Sequence, residues 1–177
     1  TAMPYHRSVA TGARIHRTRP RTQRRDRMTD QPRLDPTSLH DPAAATALNA
    51  NGFGTALGLE FLEIGPDRVG ARWTVTPNQH QPFGIVHGGV YCAVIETLAS
   101  VGGSAWFADR GTVVGVNNNT DFLRATREGV LTAVGTPVHR GRTQQLWKVI
   151  ITDEQDRLVA QGQVRLANIT DAAHLGG

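Results

Sequence analysis

Apolar positions recur along this chain with two different periods, and the change between them falls at Gly88. Before it, residues 57–64 and 68–76 read as two strands around a Gly-Pro-Asp turn. In the second, Val69, Ala71, Trp73 and Val75 alternate with more polar neighbours, as half-buried strands do. After Gly88, the residues Val90, Val94, Thr97, Leu98, Val101 and Ala105 follow the i, i+4, i+7, i+8 spacing of a helix buried on one side. Alternation then returns. Segments 113–124, 130–139, 145–153 and 157–169 are strand candidates, parted by the turns Arg127-Glu128-Gly129, Arg140-Gly141-Arg142 and Asp153-Glu154-Gln155-Asp156. Residues 42–51 predict a short helix with Asp41 as its cap and Gly52 after its end, and residues 77–86 read as loop.

The order is helix, two strands, one long helix of about 20 residues and four strands, which predicts an α+β architecture with an antiparallel sheet wrapped round the long helix. A doubly wound fold needs strands and helices in alternation, and they do not alternate here. The 177 residues suit one domain, placed at 42–169, with a leader over 1–41 and a tail over 170–177. No uninterrupted apolar run reaches the roughly 18 residues of a membrane span; the longest, from Val90, is broken by Glu96, Ser100 and a Gly pair.

Charge alters this picture only at the N-terminus. The formal charge is +4, yet residues 1–27 alone hold eight Arg against one Asp, so the remainder is mildly acidic. That Arg-rich stretch lacks apolar periodicity and reads as a disordered extension, neither a secretory signal nor a nucleic-acid arm. The single cysteine, Cys92, excludes an internal disulfide and suits a reducing, cytoplasmic setting. His80, His87 and His139 show no paired ligand spacing, so no metal is expected. Phosphate-loop and dinucleotide fingerprints are absent.

The candidate chemistry lies between Gln81 and Ser100. A polar loop leads through His87-Gly88-Gly89 into the apolar helix, and that helix carries one acid, Glu96. An acid on a face meant for burial costs several kcal/mol unless it is paired or used. Glycines at the helix start leave backbone N–H groups facing outward, where the dipole favours negative charge. An anion hole and a buried carboxylate are what acyl transfer needs. Each residue also has a plain structural reading: Glu96 paired with Arg124, His87 as a cap, the glycines permitting close packing, Ser100 bonding back to a carbonyl. Cys92, one turn before Glu96, reads as a small hydrophobe. Asn117-Asn118-Asn119 is unusual in a strand; Asn118 either lines an acyl pocket or satisfies a buried backbone at a bulge.

Gln81, His87-Gly88-Gly89, Glu96 and Ser100, with the segments VNNNTDFLR and HRGR, resemble the hotdog-fold acyl-CoA thioesterases of the PaaI type, in the branch that uses a Glu. The resemblance covers roughly residues 52–168. It implies hydrolysis of an acyl or aroyl thioester of coenzyme A or acyl-carrier protein, with no metal or redox cofactor and coenzyme A entering as part of the substrate. It also implies roles. The Gly88 N–H binds the thioester oxygen, and Glu96 attacks the carbonyl or activates a water. Ser100 fixes Glu96, while Gln81 and His87 orient carbonyl or water. Gly89, Asn118, Arg124, His139, Arg140, Gly141 and Arg142 are the candidate substrate and CoA contacts, although Arg124, Arg140 and Arg142 read equally well as solvated surface charges. The chain departs from relatives in having Ala125 after FLR, where many have Pro, and Gly115 where some have a Ser.

Helix geometry adds one expectation. Gly88 and Glu96 stand about 12 Å apart along a helix, whereas a reacting carbon must sit roughly 3 Å from both donor and nucleophile. Two subunits must therefore share each site, which predicts a homodimer, or a tetramer built from dimers. The rivals are a non-catalytic acyl-CoA sensor of the same fold and a hotdog hydratase, whose Asp and His pair is not found.

Overall fold

The computed structural model describes residues 41–170; the expected N-terminal extension and most of the expected C-terminal tail lie outside the described residues. The elements run α1 (Pro42–Asn49), α2 (Gly54–Leu57), β1 (Glu60–Ile64), β2 (Val69–Thr74), α3 (Gly88–Phe107), β3 (Thr112–Phe122), β4 (Val130–Arg140), β5 (Gln144–Thr152) and β6 (Leu158–Ile169). All pairings are antiparallel and the sheet order is β1-β2-β4-β5-β6-β3. The expected α+β architecture is present: six strands curve round α3.

Alternation explains which face the helix meets. Val69, Ala71 and Trp73 on β2, Leu131 and Ala133 on β4, Trp147, Val149 and Ile151 on β5, and Val164 and Leu166 on β6 are all buried. From α3 they receive Val94, Ile95, Leu98 and Ala99. Two glycines let α3 settle onto this face, since a Cβ at Gly102 would stand 2.5 Å from the Trp147 ring and one at Gly103 would overlap Leu166. Gln145 is buried against this core with its side chain satisfied: it donates to the Gly103 carbonyl (3.2 Å) and to Asn168 (2.7 Å) and accepts from the Trp147 indole (2.8 Å).

Two expectations need correcting. The segment 57–64 does not start as strand. Residues 54–57 close one helical turn, ended by Gly58 at φ 63°, a left-handed position that suits glycine, and β1 begins only at Glu60. The stretch Gly88–Arg110 does match a membrane span by length and composition, with mean hydropathy 1.3, despite its interruptions. Its apolar face is occupied by the sheet.

The two sheet edges differ. β1 is covered by α1, where Thr46 accepts from the Phe61 N–H at 2.9 Å. Among the described residues, β3 pairs with β6 alone, and Val114, Val116 and Phe122 on it, with Leu123 just after it, are exposed.

Candidate active site

The site begins with the turn into α3. Gln79 is buried and donates to the carbonyls of Ala56 and Leu57, both at 3.0 Å. Its own carbonyl accepts the His87 N–H at 2.8 Å, so α2 and the loop together fix where α3 starts. His87 caps the helix: its Nδ1 accepts from the Gly89 N–H at 2.9 Å. That bond leaves the ring proton of a neutral His87 on Nε2. The Val90 N–H is taken by the His87 carbonyl. Among the described residues, the Gly88 N–H has no acceptor, so of the first three helical donors it alone is open. A Cβ at Gly88 would stand 2.7 Å from the Phe122 ring, and one at Gly89 2.9 Å from the His87 ring. A side chain at either position would have to displace a neighbouring ring.

Gln81 lies beside Gly88. Its side-chain oxygen accepts the Phe83 N–H at 2.7 Å within a turn whose Gly84 has φ 73°, which leaves its NH₂ free to donate. Gln81, Gly88, Tyr91, Phe122 and Arg124 line one depression of about 290 Å³. Tyr91 is buried, and burial pushes its phenol above the ordinary value, with nearby Thr126 opposing. Its hydroxyl finds no hydrogen bond of good geometry. On the other side of the turn, His87 and Gly89 border a second depression of about 320 Å³ with Phe53, Leu57 and His80. The expected orienting residues thus divide: Gln81 shares the Gly88 depression, and His87 serves first as a cap.

Glu96 is half-buried two turns further on. It has no cationic partner among the described residues, so the expected alternative of a pair with Arg124 does not occur. Nor does the expected bond from Ser100. The Glu96 side chain reaches across to β3 instead of along the helix, and Asn118 Nδ2 donates to Glu96 Oε2 at 3.1 Å. The same NH₂ donates to the Cys92 carbonyl at 3.0 Å, and Thr120 Oγ1 donates to Asn118 Oδ1 at 2.7 Å. Glu96 Oε1 packs directly on Gly115, where any Cβ would overlap it. Asn118 is therefore a ligand of the carboxylate, which the sequence reading did not anticipate. The one signal was the Asn triplet in a strand.

The hairpin residues stand elsewhere. Arg140 donates to the Pro66 carbonyl and to Asp67, both at 2.8 Å, and lies over the Trp106 ring. Gly141 closes the β4–β5 turn on Gln144 (2.8 Å), with His139 beside it, and the Gly141 and Arg142 carbonyls accept from Asn168. This cluster sits at the C-terminal end of α3, about 30 Å of helix from Gly88. Within one chain, His139, Arg140, Gly141 and Arg142 are not brought to the Gly88 depression, and Arg140 is not a free phosphate ligand. No group of three or more metal-binding side chains occurs among the described residues.

Comparisons with known proteins bear on the family and the fold. A profile for the thioesterase superfamily matches residues 83–160. A Mycobacterium tuberculosis protein named as an esterase, Rv1847, is 53% identical over 120 residues, spanning 66% of this chain and 86% of that one. The proofreading thioesterase EntH of Cronobacter turicensis is 40% identical over 114 residues, 63% of this chain and 83% of its own. Among solved structures, that of the M. tuberculosis protein superposes with a TM-score of 0.65 over 66% of this chain and 95% of that one, at 54% identity. Thioesterase HI1161 of Haemophilus influenzae superposes with a TM-score of 0.70 over 76% and 95%, at 34% identity.

Proposed function

From the premise that this chain belongs to the thioesterase superfamily and is a thioester hydrolase, we propose that it cleaves an acyl or aroyl thioester of coenzyme A or acyl-carrier protein, with Glu96 as the reacting carboxylate. One observation carries the role of Glu96: a half-buried acid that has no cation beside it among the described residues and is turned by a neutral amide toward bare backbone. A structural acid would sit against an arginine.

The open Gly88 N–H receives the thioester oxygen, with the Gln81 NH₂ on the same side. Negative charge builds on that oxygen in the transition state, so a fixed donor there lowers the barrier. Glu96 then acts in one of two ways. As nucleophile it forms an acyl anhydride and expels thiolate, and water later hydrolyses the anhydride. As general base it takes a proton from the water that attacks the carbonyl. Both routes give carboxylate and free thiol.

The two groups are too far apart on one helix to serve one carbonyl, so we place each site between two copies. The uncovered β3 edge supports this. Antiparallel pairing that sets Gly115 near the partner's Phe122 puts each Glu96 beside the partner's Gly88, with the two-fold axis at Asn118–Asn119. The hairpin of the second copy then extends past the N-terminus of α3, where Arg142 can meet the phosphates of coenzyme A.

Free-thiol release from short, medium, long and aromatic acyl-CoAs tests the reading. Glu96→Ala should lose about two orders of magnitude or more with the dimer intact, and wild-type activity surviving in that variant would end it. Refolding Glu96→Ala together with Gln81→Ala should recover about a quarter of wild-type activity, because half the dimers are mixed and each holds one intact site.

A further inference from the structure

We propose that Asn118, itself held by Thr120, is the positioning residue of Glu96, taking the part the helix serine was expected to play. The inference rests on Glu96 being the reacting carboxylate.

The orientation of the Asn118 amide is settled by its neighbours. Its Nδ2 faces two acceptors, the Cys92 carbonyl and Glu96 Oε2. A flipped amide would set oxygen against both. Its Oδ1 faces a hydroxyl donor on Thr120. Both amide protons and the oxygen are thus used within one short chain of hydrogen bonds. The bond to Cys92 matters separately, because that carbonyl belongs to the helix turn just before Glu96. It ties β3 to α3 at the level of the carboxylate, so strand and helix cannot slide without breaking it.

Glycines complete the arrangement. At Gly115 the missing Cβ is the space that Glu96 Oε1 occupies. At Gly162, across from Thr120 on β6, a Cβ would stand 2.7 Å from Thr120 Oγ1. The carboxylate is held between a donor on one oxygen and bare backbone at the other, which removes its rotamer freedom before substrate arrives. The donor is also neutral. An arginine at that place would orient the carboxylate but offset its charge; an amide orients it and leaves the charge for the reaction.

The test compares shapes with charges, in the full-length chain and with the acyl-CoA turned over fastest in the panel. Asn118→Asp preserves volume, removes the donor and sets a second carboxylate beside Glu96. It should lower kcat about thirtyfold or more with KM within about twofold, a larger loss than the roughly tenfold for Asn118→Ala. A packing role predicts the reverse order, since Asp fills the same space and Ala does not. Thr120→Val should cost a few-fold in kcat, and Thr120→Ser, which restores the hydroxyl, should recover most of it. The side-chain amide resonance of Asn118 gives a reading without substrate: it should move in Glu96→Gln and in Thr120→Val. Asn118→Asp as active as wild type, or an Asn118 resonance unmoved in both variants, overturns the proposal. An active Glu96→Gln would instead overturn the catalytic reading beneath it.

Discussion

At the C-terminal end of α3, Arg110 donates to the Phe107 carbonyl at 2.9 Å and to that of Trp106, and lies 4.1 Å from the Trp106 ring centre. Arg140 approaches the same ring from the β4–β5 hairpin and is held by Asp67. At the N-terminal end, among the described residues, the Gly88 N–H is open, the Gln81 NH₂ is unclaimed, and the Tyr91 hydroxyl is unsatisfied. One end has spent Arg110 and Arg140 on structure and the other keeps its donors available. Binding sites show this imbalance, because a group already satisfied by its own protein has little to offer a ligand.

The comparison breaks most sharply at Gly115. Gly115→Ala should lower kcat by about a hundredfold, since a carboxylate displaced by an ångström loses its near-attack geometry. The melting temperature should change little, because the added methyl meets the end of the Glu96 side chain and no core residue. A circular-dichroism melt beside a thiol-release assay reads both, and a variant that turns over normally would show the close approach to be irrelevant.

The opposite result is expected at the other end. Trp106→Ala removes the ring on which two arginines lie, and should destabilise the fold by about 2 kcal/mol, seen as a drop of several degrees in Tm. kcat should stay near wild type at a temperature where the variant is folded. Loss of turnover in the folded variant would mean the two ends are coupled.

Much of this division is legible in the sequence. Periodicity locates α3 and five of the six strands within a residue or two, because a helix packed on a sheet must keep one apolar stripe and the strands must alternate; β1 starts three residues late, after the α2 turn. The motif from Gln81 to Glu96 is legible too, since the open donor depends only on where the helix starts. Contacts between elements distant in sequence are not. Asn118 and Glu96 are 22 residues apart and meet because a bulge between Gly115 and Asn117 sets which β3 side chains face the helix. Without the register, Ser100 was the nearer partner. The HRGR segment reads as a free cationic loop, because nothing local says that Arg140 is captured by a turn some 70 residues earlier.

A smaller effect tests how open the N-terminal end must be. Gly88→Ala would push a methyl group onto the Phe122 ring, at 2.7 Å from Cε2. The ring can turn outward, so the expected loss is about tenfold in kcat/KM, or about 1.4 kcal/mol. Pairing it with Phe122→Leu should return part of that loss. Strict additivity of the two changes would show that the ring is not what confines Gly88.

His87 separates capping from chemistry. His87→Ala removes the acceptor for the Gly89 N–H and should cost about 1 kcal/mol of stability. His87→Asn and His87→Ser can still cap, so either should return most of that stability. Their activity then decides what else the imidazole does. If turnover returns with stability, His87 is a cap that holds the Gly88 N–H in place, and the resemblance assigns it more than it performs. If stability returns while kcat stays low, Nε2–H, the ring atom pointing away from the cap, touches the substrate or its water. The structure favours the first outcome, because the one hydrogen bond His87 makes through its ring is to the helix it begins.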